Sequence, residues 1–136
     1  MRDRSLLLLR CVAALVWLYN GLWQKILLPD PTHLAIVLPT ANQLGLAPLM
    51  FLGLIGLVET VLALWILSGW RCRLANAAQM ALLLALNLAG ILFGDGGVEN
   101  PVALLVNNLP LFAIGMVLIM EGPGRFALGV PHGKRG

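Results

Sequence analysis

Apolar residues fall into four long runs, residues 5–28, 48–68, 74–94 and 101–120, separated by short polar or glycine- and proline-bearing stretches. At ~1.5 Å of rise per residue, about 20 helical residues span a hydrocarbon core of ~30 Å, so each run is long enough to cross a bilayer. The pattern predicts an all-α, polytopic membrane protein, a single transmembrane domain built as a four-helix up-down bundle with short turns between neighbours. Arg2 and Arg4 before the first run resemble the start of a signal peptide, but no small-x-small cleavage site followed by a polar segment appears, and the run reads as a retained helix.

The connection at residues 29–47 is too long for a turn and too apolar for a solvated loop. Asp30 followed by Pro31 suits the cap and first residue of a helix, predicting a short interfacial helix in the first outer loop. It serves either as a surface anchor or as a lid. Residues 121–136, rich in Gly and Pro and ending near Lys134 and Arg135, read as a flexible tail whose cations lie near anionic headgroups.

Within the runs, polar positions mark the faces turned away from lipid, because hydrocarbon offers no hydrogen-bond partners. At about 100° per residue, Arg10, Ala13, Ala14, Trp17, Asn20, Gly21 and Gln24 share one stripe of the first run. The second run carries Gly53, Gly56, Thr60 and Ala63, with Glu59 beside them. The third has Asn76, Gln79 and Asn87 on one side and Ala77, Ala81, Ala85 and Ala89 at four-residue spacing on another, the latter a candidate surface for a second copy of the chain. The fourth has Asn107 and Asn108 before Pro110, which removes the donor for the Val106 carbonyl.

Glu59 is the position around which these groups gather. An ionisable side chain at bilayer depth costs at least ~2.5 kcal/mol on insertion scales, so it normally faces a protein interior and has a partner or a task. Counted from the helix ends, Asn20, Glu59, Asn87 and Asn107 lie at similar heights, predicting a polar cluster of these four with Gln24 that opens outward beneath the first loop. If Glu59 is instead a structural residue, it is either protonated or the ion-pair partner of Arg10, whose long side chain reaches toward it. Lys25 either joins the cluster or snorkels to the outer headgroups.

Charge changes the picture in one respect. The 136 residues are 60% hydrophobic and 11% charged, with a net charge of +3, but the basic residues are scattered and form no nucleic-acid-binding patch. Arg2, Arg4, Arg71, Arg73, Arg125, Lys134 and Arg135 all fall at one end of the proposed bundle, whereas Asp30, Asp95 and Glu99 fall at the other. The positive-inside rule then puts both termini in the cytoplasm of a cell whose inner membrane holds the chain. Cys11 and Cys72 lack redox or metal spacing, and His33 and His132 lie far apart, so no metal site is expected.

The segment GLWQKILLP, with Lys25 and Pro29, the glutamate of the second run, and VNNLPLFAIGMVL in the fourth together resemble the DoxX-like group of small four-span membrane proteins. The resemblance covers essentially the whole chain and matches Lys25, Glu59, Asn108 and Pro110 to the group's recurring positions. It implies kinship with a subunit of a thiosulfate:quinone oxidoreductase, with membrane partners of thiol-redox complexes, and with segments fused to epimerase-like domains. A chain without a Cys pair, haem motif or flavin fingerprint is not expected to catalyse redox chemistry alone. The expected role is an accessory or binding subunit that holds a quinone or lipid for a redox partner, with Glu59, Asn20, Gln24, Lys25, Asn87, Asn107 and Asn108 lining the site. The alternatives are a proton-coupled permease and a purely structural oligomeric membrane anchor.

Overall fold

The computed structural model describes residues 2–129. Helix α1, Arg2–Leu18, runs without a break into a π-helical segment, Tyr19–Leu27, and is followed by α2 (Pro31–Gln43), α3 (Pro48–Ser68), α4 (Cys72–Phe93) and α5 (Pro101–Glu121). Four helices, counting α1 and its π-helical extension as one, are long and apolar enough to cross a membrane. The fold is all-helical, and the expected runs agree with these four to within a few residues.

Local chemistry fixes the ends. The Asp30 carboxylate accepts from the Thr32 and His33 backbone N–H groups at 2.8 and 3.3 Å, with Pro31 opening α2. The Asn100 side chain accepts from the Ala103 N–H at 2.9 Å, with Pro101 opening α5. Both pairs place an acceptor where a helix start has spare donors and a proline where none is needed. Helix α3 stops at Gly69, whose left-handed φ of 72° lets the chain reverse within two residues into α4.

Packing is uneven. Helix α1 and its π-helical extension lie along α3, α4 lies along α5, and α2 folds across α3 and α4. Ala13, Ala14 and Ala63 are buried where α1 meets α3, and Trp17, Leu62, Ile66, Ala75, Leu83 and Leu111 complete the main core. Small residues let helix backbones approach closely where lipid supplies no hydrophobic drive between them. The expected glycine strip of α3 is half realised: Gly56 is in tight contact, while the space beside Gly53 is open.

Arg10 is 1% exposed, and its expected ion pair with Glu59 does not form. Its guanidinium instead donates to backbone carbonyls: Ile66 at 3.2 Å and Leu67 at the end of α3, and Pro123 and Phe126 of the C-terminal segment at 3.0 and 3.1 Å. The physical reason is position. A helix end leaves carbonyls without donors, and Arg10 lies at the level of the end of α3, with a planar fork of donors to fill them. The start of the tail is therefore tied down rather than free: besides Arg10, the Leu128 N–H donates to the Ser68 carbonyl at 2.9 Å and Arg125 pairs with Asp3 at 3.0 Å. His132, Lys134 and Arg135 lie outside the described residues.

Candidate functional site

At the end of the bundle opposite Arg10, the π-helical turn brings two residues five apart onto one face. In an α-helix, Asn20 and Gln24 share a face; the i→i+5 repeat of a π-helix substitutes Lys25 for Gln24. The Lys25 ammonium duly donates to the Asn20 carbonyl at 3.1 Å, while Gln24 turns aside, its amide 3.5 Å from the Tyr19 hydroxyl. Gln24 does not line the cavity described below.

Lys25 then reaches α3. Its Nζ lies 2.8 Å from Glu59 Oε2, and the two side chains are only 10% and 3% exposed. This contact depends on Gly21 and Gly56. A Cβ on Gly21 would come within 2.7 Å of Glu59 Cβ and 2.8 Å of the Gly56 carbonyl, and a Cβ on Gly56 within 2.7 Å of the Gly21 carbonyl and 2.8 Å of Lys25 Cβ. Lys25 is thus the counter-ion of Glu59 and not a headgroup snorkel.

The pair sits in the wall of a cavity of about 650 Å³, within the range of small-molecule sites. Trp17, Leu52, Ile55, Leu83, Leu86 and Leu111 give apolar walls; Asn20, Lys25, Glu59, Asn87, Asn107 and Asn108 give polar groups; Thr32, His33 and Ile36 of α2 and Glu99 and Asn100 of the α4–α5 loop form the rim. Asn108 donates to the Asn87 side-chain oxygen and to the Leu104 carbonyl, both at 3.0 Å, so it is a clamp between α4 and α5. Asn107 also lines the cavity but is exposed. Asn20 is held by its own helix, donating to the Val16 carbonyl at 2.8 Å.

Below this level the bundle closes. Trp17 Nε1 donates to Gln79 Oε1 at 3.1 Å, and Gln79 Nε2 to the Leu111 carbonyl at 3.0 Å, across three helices. Further along, Leu6, Cys72 and Leu118 pack together, and Asn76 bonds to the Cys72 carbonyl at 2.8 Å.

Helix α2 covers the cavity from α3 and α4. Ile36 is its anchor: a Cβ on Gly94 or Gly97 would stand 3.3 or 3.0 Å from the Ile36 side chain, so these glycines form the notch that receives it. His33, half-buried beside it, has a buried Nδ1 without a hydrogen-bond partner. Burial first, and the nearby Lys25 charge second, hold its imidazole below its ordinary pKa, with Asp30 pulling the other way. Asp30 is itself held below the usual carboxylate range by the Thr32 and His33 N–H groups. These rim residues carry no motif; the only sequence signal for them is the unusual length and greasiness of the first loop.

The sequence profile of the DoxX-like family matches residues 14–116, about three quarters of the chain. The protein belongs to the DoxX-like family. As a DoxX-like protein with four apolar spans, it is a multi-pass membrane protein. No curated protein and no solved structure matches it. In this chain Lys25 and Glu59 are partners, and the amide of Asn108 ties α5 to α4.

Proposed function

We propose that this DoxX-like protein is a membrane-embedded binding subunit that holds a lipophilic ligand, a quinone or a lipid, and serves a redox partner. The observation that carries the reading is a cavity of about 650 Å³ whose apolar walls surround a buried Lys25–Glu59 pair and the Asn87–Asn108 amides. A flat or chain-like apolar body fits the walls, and a carbonyl head finds donors at the polar end. Catalysis is assigned to the partner, and the site residues of this chain bind and orient.

A permease needs a polar route through the bundle. Here the polar groups of the cavity end at the Trp17–Gln79–Leu111 network, and beyond it lie the Leu6–Cys72–Leu118 packing, the buried Asn76 bonded to its own helix and the carbonyl-bound Arg10, which do not make a continuous polar path. That favours binding over transport. The Ala77, Ala81, Ala85 and Ala89 face of α4 is exposed, and we assign it to contact with a second copy of the chain; Ala81→Phe is expected to abolish a crosslinked dimer in native membranes. By the positive-inside rule we place the Arg2, Arg71, Arg73 and Arg125 end in the cytoplasm of a cell whose inner membrane holds the protein.

The test is a thermal shift in detergent. A decyl-substituted benzoquinone is expected to raise the Tm of the wild type and to do so much less for Asn87→Leu. Equal shifts for both, or proton-driven solute flux in proteoliposomes, would contradict the reading.

A further inference from the structure

The contacts around the cavity differ from side to side. The π-helical segment Tyr19–Leu27 packs on α3 rather than on α5, while α1 meets α5 near the opposite end, around Leu6 and Leu118. The two walls are therefore less tightly joined towards the end that holds the cavity, where Asn107 of α5 lines it and is exposed. A gap between two membrane-spanning helices is bordered by lipid.

The charge inside is balanced. Lys25 gives one N–H to Glu59 and one to the Asn20 carbonyl, which leaves the third of an ammonium's donors for a ligand. Asn87 gives its oxygen to Asn108, and its amide nitrogen donates to no other described residue. The remaining ionised group of the lining is Glu99 at the rim, and the other described arginines stand at or near the far end of the bundle. A carboxylate or phosphate head would lose its hydration and meet no unbalanced positive charge, which costs far more than seating a neutral acceptor.

We infer that the ligand is an uncharged amphiphile which enters sideways from the bilayer between Tyr19–Leu27 and α5, its acceptor head on Lys25 and Asn87 and its tail in the gap. The inference rests on the binding function proposed above and narrows it to a chemical class and a route.

Three probes test it by native mass spectrometry of the full chain released from nanodiscs at neutral pH: a decyl-substituted benzoquinone, para-decylbenzoate with the same tail and an ionised head, and tailless tetramethylbenzoquinone. The wild type is expected to bind the first at least about tenfold more tightly than either of the others, a difference of about 1.4 kcal/mol. Glu59→Gln removes the balancing charge and is expected to gain binding of para-decylbenzoate. Equal wild-type affinity for para-decylbenzoate overturns the neutral head, and equal affinity for the tailless quinone overturns the sideways seat; neither comparison needs the variant to fold. A folded Glu59→Gln protein that still rejects the benzoate overturns the charge argument. A wild type that binds none of the three overturns the binding function itself.

Discussion

Gly21 and Gly56 face each other across the α1–α3 crossing so closely that a Cβ on either would stand under 3 Å from the other's backbone carbonyl. This contact sets the separation at which Lys25 and Glu59 meet at 2.8 Å. Gly56→Val is therefore expected to push the helices apart, destabilising the protein by at least about 1–3 kcal/mol, as overpacking does. Thermal unfolding in detergent checks this, and Gly53→Val, at an open position, is the control expected to unfold near the wild-type temperature.

The Lys25–Glu59 pair is desolvated, so its members should be unequal to their sum. Lys25→Met or Glu59→Leu alone leaves an uncompensated charge, at an expected loss of about 3–5 kcal/mol, whereas the double variant removes both charges and recovers most of that stability. A double-mutant cycle on Tm measures the recovery. Additive losses would show that the two side chains do not depend on each other.

Arg10 joins the end of α3 to residues 123–126 through carbonyls alone. Arg10→Met strands these acceptors, an expected loss of about 3 kcal/mol or more. It should also free the C-terminal segment, so that limited trypsin digestion cuts after Arg125 faster than in the wild type. Arg10→Lys, with three donors in place of a planar fork, is expected to recover only part of the protection.

The spans were legible because bilayer thickness dictates run length, and Glu59 stood out because a lone carboxylate in such a run is costly. Its partner was not legible. A helical wheel assumes α geometry, and the π-helical turn at Tyr19–Leu27 moves Lys25 onto the face that the wheel gives to Gln24. The partners of Arg10 are hidden from the sequence for a different reason. Its partners are main-chain carbonyls from sequence-distant segments, which leave no trace in residue identity. Asn107 and Asn108 both line the cavity, as expected, but only the second is clamped, by its bond to Asn87.

His33 should make the seating of α2 sensitive to acid. Its imidazole lies below its ordinary 6.5 in the folded state because of burial and Lys25, with Asp30 opposing, so the undocked state takes up the proton more readily. Stability of the docked helix therefore rises with pH through the window below 6.5 and levels off above it. Thiol labelling of Ile36→Cys is expected to speed up as pH falls through that window after correction for thiolate content, and His33→Leu is expected to remove the dependence.

The central claim is that the cavity at the Lys25–Glu59 pair is occupied by a lipophilic molecule in the membrane. Native mass spectrometry of gently solubilised protein tests it most directly, comparing the wild type with Ala103→Trp, which fills the cavity from α5. The account predicts a wild-type peak carrying a small lipophilic adduct that is absent from a folded Ala103→Trp protein. A bare wild-type mass, or the same adduct on both proteins, would contradict it.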